Sequence, residues 1–478
     1  AGRLLVADGP DVRLVPLGRA ASEAAAPPAP ARLPGPALLR RALPDGSVLL
    51  LVSRSEEPAT ELLVPTGREA WEIVRISVDE AGAVRVESRA RGPALPDGYP
   101  QALAADGRRV VVWRAVGPGA ALVAHDLASG ESVELLGPDG VAKRRVAWLP
   151  AAGPLAEELL AVRATATAPE TLVRVGLDGL VRPVAGRWPG VAAALPVGAV
   201  ETVRWRAPDG EEIEGVLVTP DDGGRGRPYP TLLYLHGGPD YPIPADLHYL
   251  ASGSSQSAAH LFARAGYAVL VAYFRGSGGY GDRFAGALGD GRLYSAPAAD
   301  ALAGIDALVE RGISDPERLG VYGHSFGGML TAWIVARDHR FQAAISSVGF
   351  LDTLAADRMS GRAFHASPGL GGPEDDSLDP WTRPERYREL SPLERAFEVE
   401  TPTLLVSTAG EQDHLAGYAA FFNALRLREV PTLWLHFPGA NHTGSWSPAE
   451  QRDYAAHALA WFDRFLGAVG ESSGSPGG

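Results

Sequence analysis

Two architectures in series are predicted by this 478-residue sequence: an all-β part made of short strands, then a mostly parallel β-sheet wound on both faces by helices. Three observations predict them. Up to about residue 195 the apolar runs are short and bounded by turn dipeptides such as Asp-Gly and Ser-Gly. Beyond about residue 200, strand-like runs alternate with stretches whose apolar residues recur at helical spacing. A Gly-x-Ser-x-Gly segment then stands where one such run gives way to a helix.

In the first part, residues 3–6 read as a strand, and residues 24–36, rich in Ala and Pro, read as a loop or linker. Strands are expected over 47–52 after Pro44-Asp45-Gly46, over 109–113 after Asp106-Gly107, and over 121–126 before Ser129-Gly130. A weak repeat runs through them: the segments at 102–111 and 122–127 echo 42–49, and 172–179 echoes 122–127. Repeats of roughly 40 to 50 residues holding four strands are propeller blades, so residues 1–195 are expected to form a partial or reduced β-propeller of about four blades. A β-sandwich with coincidental Asp-Gly turns is the alternative.

In the second part, residues 196–468, the strand runs are 231–235, 268–273, 319–322, 343–348, 404–407 and 432–437. Leu302, Ile305, Leu308 and Val309 stripe one intervening helix, and Tyr418, Phe421, Phe422 and Leu425 stripe another. The last helix carries its own start signal, Ser447-Pro448-Ala449-Glu450, with a capping serine, proline at the first helical position and glutamate three residues after the cap. Tyr454, Trp461 and Phe465 form its expected buried stripe. Residues 469–478, rich in Gly and Ser, read as a disordered tail.

Composition narrows the chemistry. The hydrophobic share is 46% and the charged share 21%, as in globular proteins, while a formal net charge of -13 with no dense basic run argues against nucleic acid and anionic membrane as partners. The absence of cysteine removes thiolate nucleophiles, disulfides and Cys-ligated zinc. No run of about 18 apolar residues is present to span a bilayer, and the expected location is cytoplasmic. The first residue is Ala1, so a preceding leader is left open.

A serine in the middle of Gly323-His324-Ser325-Phe326-Gly327, between a strand and a helix, is placed as a nucleophile elbow. A second match at 470–474 follows a helix and lies in the tail, and is chance. Serine needs a base and the base an orienting acid, which in α/β-hydrolases follow in the order Ser, Asp, His. Asp413 follows the strand run 404–407 and His442 follows 432–437, both beyond the carboxyl ends of strands, where open α/β sheets place their sites. Asp352, after the run 343–348, is the rival acid; His436 lies within a strand and is expected to point into packing, His457 lies on the last helix, and His414 begins the helix after Asp413. The oxyanion requires two N–H donors: Phe326, following the nucleophile, and Gly238 in the loop Leu235-His236-Gly237-Gly238-Pro239, with Gly237 beside it. Phe326, Phe350 and Trp446 are candidates for lining the substrate pocket. The glycine-rich run 274–281 fits neither a phosphate loop nor a dinucleotide loop, and no cofactor or metal is expected.

Taken together, these segments resemble the prolyl oligopeptidase family of serine peptidases, especially its acylaminoacyl-peptidase and dipeptidyl-peptidase-like branch. The likeness covers roughly residues 160–467: the lead-in 209–215, His-Gly-Gly-Pro at 236–239, Arg-Gly-Ser-Gly-Gly-Tyr-Gly at 275–281, Asp-Pro-Glu-Arg-Leu-Gly at 315–320, Ser391-Pro392 and Thr401-Pro402. The resemblance implies an α/β-hydrolase domain capped by a β-propeller, a triad of Ser325, Asp413 and His442, oxyanion donors at Gly238 and Phe326, and a short peptide or acyl-peptide as substrate, with a homo-oligomer as an open option. Two departures stand out. The family carries about seven blades, more than residues 1–195 can hold, and Asp413 is followed by His414-Leu415-Ala416 where the family has Asp, then Asn or Arg, then Val. Glu56-Glu57 read as a solvated pair rather than as acids that hold a free amine. An esterase or peptide-tailoring transacylase or isopeptidase, and a propeller-based binding protein with an inactive hydrolase domain, are the competing functions.

Overall fold

The computed structural model describes residues 3–8, 11–16, 31–32, 37–42, 47–53, 71–78, 84–92, 99–137, 141–148, 158–186, 197–239, 242–252, 257–288, 292–360, 381, 384–409, 412–442 and 446–467. Asp45-Gly46, Glu56-Glu57 and the tail 469–478 lie outside the described residues. The chain divides into two compact units, residues 1–165 with 169–189, and residues 166–168 with 190–478.

The first unit is antiparallel throughout its meanders. Strands β1 (Arg3–Asp8), β2 (Asp11–Pro16) and β3 (Ala31–Arg32) form a small sheet. Part of the expected linker is therefore strand, because Ala31 and Arg32 pair with Val12 and Asp11. Strands β4 (Ala37–Ala42), β5 (Val48–Ser53), β6 (Trp71–Val78) and β7 (Val84–Gly92) pair in chain order as a four-stranded meander. The pattern recurs in β8 (Tyr99–Leu103), β9 (Arg109–Val116), β10 (Gly119–Asp126) and β11 (Ser132–Leu136), and again in β12 (Val141–Trp148), β13 (Glu158–Ala164), β14 (Thr171–Gly176) and β15 (Val181–Gly186). One parallel bridge, Ala120 to Val141, joins these last two.

Local side-chain chemistry makes the turns. Asp106 Oδ1 accepts the N–H groups of Arg108 and Arg109 at 2.9 and 3.0 Å, and Gly107 between them takes a φ of 68°, which glycine adopts without a Cβ penalty. Alternation along β9 then sends Val111 and Trp113 into one buried cluster and Val110 and Val112 into another.

The second unit is built on an eight-stranded sheet of β16 (Ala199–Arg206), β17 (Glu212–Thr219), β18 (Tyr229–Leu235), β19 (Ala268–Tyr273), β20 (Ser314–His324), β21 (Ala343–Ser347), β22 (Thr403–Thr408) and β23 (Thr432–Phe437), in the order β16-β17-β19-β18-β20-β21-β22-β23. From β19 to β23 all neighbours are parallel; β16 and β17 run antiparallel. The helices are α1 (Leu247–Ala251), α2 (Ala259–Arg264), α3 (Asp282–Ala285), α4 (Ser295–Glu310), α5 (Phe326–Val335), α6 (Thr353–Ser360), α7 (Pro384–Leu390), α8 (Gln412–Leu427) and α9 (Pro448–Leu466).

Strands buried on both faces read as unbroken apolar runs, and the pleat sorts them. Leu233 and Leu235 of β18 and Leu270 of β19 pack with α4, α5 and α8, whereas Leu232, Tyr234, Val269 and Val271 pack with α1, α2 and α9. The capping box of α9 is formed, with Ser447 Oγ accepting from the Glu450 N–H and Glu450 accepting from the Ser447 N–H. Its buried stripe is Tyr454, Ala458, Trp461, Phe462 and Leu466, while Phe465 is half-buried. His436 is exposed rather than packed, because β23 is an edge strand; its Nδ1 lies 3.0 Å from Ser407 Oγ. Among the described residues no helix is long and apolar enough to cross a membrane.

Candidate active site

Strand β20 runs directly into α5 with Ser325 as the hinge between them. Ser325 has φ 58° and ψ -123°, a left-handed backbone that costs a non-glycine residue roughly 1 to 3 kcal/mol and persists where the surroundings over-determine it. They do so here. The Ser325 N–H donates to Ser347 O at 2.8 Å, and its carbonyl accepts from Met329 at 3.0 Å. Gly327 is required by close approach: a Cβ there would collide with the Leu235 carbonyl of the neighbouring strand. The glycine lets α5 start against β18, and the serine hydroxyl is left at the carboxyl end of the sheet.

His442, in the segment between β23 and α9, brings Nε2 to 2.8 Å from Ser325 Oγ. Hydrogen bonds from His324 and Trp446 hold that segment. The His324 Nε2–H donates to the His442 carbonyl at 2.8 Å, and the Trp446 indole N–H donates to Asn441 O at 3.1 Å. Asp413 falls within the first turn of α8 rather than in a loop, and its side chain lies outside the described residues. The rival Asp352 is engaged elsewhere: its Oδ1 accepts the Ala355 N–H at 3.0 Å at the start of α6.

Ser325 and His442 open onto a cavity of about 150 Å³ lined also by Gly238, Pro239, Leu293, Phe326, Met329, Val348, Gly349 and Phe350. Gly238 and Phe326, the expected oxyanion donors, thus meet at the same space as the serine. Gly237 packs behind them, where a Cβ would stand 3.2 Å from both Ser325 Cβ and His324 O. Phe350 reaches the cavity, but Trp446 does not. It is buried against Phe437 and Tyr454, with ring centroids at 4.8 and 6.0 Å, because its indole belongs to the apolar layer beneath α9. It therefore supports the His442 segment instead of lining the pocket.

The glycine loop is fixed by a histidine that the sequence offers only as part of a motif. His236 is fully buried; its Nδ1 is 2.7 Å from Gly237 O and its Nε2 is 2.7 Å from Ser277 Oγ. The carbonyl can only accept, so Nδ1 donates to it, while the Ser277 hydroxyl beside Nε2 donates to Phe274 O at 2.6 Å. Burial pushes the His236 pKa down to about 4, so the ring is neutral. The ring stacks on Phe274 at 4.4 Å, Phe274 meets Phe326 at 6.0 Å, and Phe326 stacks on Tyr294 at 5.7 Å, which joins the two donor segments in one aromatic column. The next residue, Arg275, holds the 275–281 run in place. Its Nε and Nη2 bond both carboxylate oxygens of the fully buried Asp300, its backbone N–H adds a bond of 2.8 Å, and Nη1 reaches Asp209.

A stability prediction follows from His236. Its unfolded pKa is about 6.5 and its folded value about 4, so between these the unfolded chain binds the extra proton and stability falls as pH falls through the window. The full loss is on the order of 3 kcal/mol. Chemical denaturation of His236→Gln and the parent from pH 7 to pH 4 is expected to give a flatter curve for the variant; parallel curves would refute the assignment.

Residues 253–469 match the model of the prolyl oligopeptidase family. Among curated proteins, the chain is 30% identical over 278 residues to an uncharacterized peptidase, YuxL, of Bacillus subtilis, covering 56% of this chain and 39% of that protein. It is 29% identical over 254 residues to the acylamino-acid-releasing enzyme of Arabidopsis thaliana, covering 50% and 31%. The chain thus spans less than half the length of these relatives. In fold it is similar to the acylaminoacyl peptidase of Pyrococcus horikoshii, with a TM-score of 0.68 at 22% identity over 97% of this chain and 67% of that one. It is similar also to a puromycin-hydrolyzing peptidase of Mycobacterium tuberculosis, with a TM-score of 0.68 at 21% identity over 98% and 78%. Residues 253–469, which carry the elbow serine and the histidine hydrogen-bonded to it, are thus similar to the prolyl oligopeptidase family.

Proposed function

We propose that this chain is a serine peptidase that cleaves short peptides, in the manner of an acylaminoacyl-peptidase or oligopeptidase. The observation that carries the reading is the 2.8 Å contact between Ser325 Oγ and His442 Nε2 on a left-handed elbow. In this mechanism Ser325 Oγ attacks the scissile carbonyl as its proton passes to His442 Nε2, and Asp413 orients the imidazole. The N–H groups of Gly238 and Phe326 hold the oxyanion. Collapse breaks the C–N bond, with the proton going from His442 to the leaving amine; water, activated by the same histidine, then frees the acyl group and restores Ser325. Leu293, Phe326, Met329, Val348 and Phe350 favour an apolar side chain on the acyl side of the bond.

Residues 1–195 are assigned as a partial or reduced β-propeller of about four blades, residues 196–468 as the hydrolase domain, and 469–478 as a tail. The three successive four-stranded meanders support the blades. A cytoplasmic location and self-association complete the proposal.

The test is labelling with a fluorophosphonate, followed by turnover of blocked and free short peptides, puromycin and p-nitrophenyl esters. Labelling at Ser325 with amide turnover is the expected result. Ester turnover without amide turnover would replace the peptidase by an esterase or transacylase, and no labelling with no turnover would leave the binding-protein reading.

A further inference from the structure

We propose that the first two turns of α8 clamp the far wall of the acyl pocket and set which side chains it admits, with His414 and Tyr418 as the two points of contact. The proposal rests on the peptidase reading above. His414 and Tyr418 are four residues apart, so they project from the same face of the helix, and both are buried. The wall they meet is Val348-Gly349-Phe350, which follows β21 and lines the cavity beside Ser325.

Each contact addresses a different weakness of that wall. Val348 has a φ of 52°, a strained value for a β-branched residue. Two hydrogen bonds hold the turn: the Val348 N–H donates to Val406 O at 2.9 Å, and the Gly349 N–H donates to the Tyr418 hydroxyl oxygen at 2.9 Å. Gly349 cannot retreat the other way, since a Cβ there would stand 2.7 Å from Met329 Cγ and 2.9 Å from Ser325 O. Phe350 is backed by the His414 ring, edge-on, with centroids 3.9 Å apart. His414 is the position at which the sequence departs from the family pattern after Asp413, so the departure supplies the ring behind Phe350.

Both are positioning residues, and their effect is expected in selectivity. In His414→Ala the Phe350 ring loses its backing and swings outward. In Tyr418→Phe the Gly349 N–H loses its acceptor and the strained turn at Val348 relaxes. Either change enlarges the pocket, so kcat/KM for a peptide with a bulky aromatic residue on the acyl side should rise about tenfold relative to its alanine counterpart. His414→Phe keeps a ring at the same place and should restore the parent ratio, which a general loosening of the fold would not. The experiment measures this ratio for the parent and the three variants after fluorophosphonate titration of active serines. Variants that label at Ser325 yet keep the ratio within about twofold of the parent would overturn the clamp. If His414→Ala does not fold, Tyr418→Phe, which lacks a single atom, carries the test. A parent that does not label refutes the peptidase reading instead.

Discussion

Ser325→Ala is expected to lower kcat/KM for a short peptide by about 10⁶-fold, with no further loss when His442→Ala is added. The first figure follows from removing the hydroxyl that lies 2.8 Å from His442 Nε2 and would form the acyl bond. The second follows from the 2.8 Å contact between them: once the serine is gone, the imidazole has no proton to take. What remains in either variant is binding and the oxyanion donors, roughly 10³-fold or more over water. Asp413→Asn is expected to cost about 10⁴-fold by allowing the wrong tautomer of His442. Single-turnover assays of the two single variants and the double variant check this; additive losses would mean that the two residues do not act as a unit.

Arg275→Met is expected to destabilise the second unit by about 3 to 5 kcal/mol, as removal of one partner from a buried ion pair does. Asp300 has no exposed surface, and Arg275 satisfies both of its oxygens. Burial pushes the Asp300 carboxyl up, and the hydrogen bonds from Arg275 pull against that shift. Without the guanidinium, burial is opposed by the backbone N–H of residue 275 alone, so the folded carboxyl is pushed toward its protonated form while the unfolded one titrates in the ordinary range. The folded variant then binds more protons than the unfolded chain above that range, and its stability declines further as pH rises. Adding Asp300→Leu removes the stranded carboxylate and should return most of the loss. Denaturant titrations at pH 5 and pH 8 test the sign; a variant more stable at pH 8 would contradict it. Asp209 is a smaller partner, because it is half exposed and water replaces its share.

How much of the molecule is legible in the sequence depends on how local the signal is. The turns at Asp106-Gly107 and the start of α9 are legible because a side chain bonds the backbone two or three residues away. Ser325 and His442 are legible as partners because chain order and the ends of two strands suffice to bring them together. The pocket is not, since Leu293, Met329 and Val348 arrive from three separate segments and carry no motif. Trp446 is misread for the same reason: an aromatic beside His442 looks like a pocket wall until the apolar layer under α9 claims it. His236 and His324 were legible only as neighbours of functional residues. Their work is to hold carbonyls and a hydroxyl, which no spacing rule announces.

The place of β20 in the sheet has a consequence for how the molecule comes apart. Ser325 hangs from a strand bonded on both sides, to β18 and β21, whereas His442 follows β23, which among the described residues has a neighbour on one side alone. Amide exchange should therefore be slowest along β18, β20 and β21 and faster at the β23 border. Partial opening from that border detaches the base while the nucleophile keeps its scaffold. A half-opened molecule then carries a serine of ordinary reactivity, inert rather than indiscriminate, and closing the last strand is what arms it.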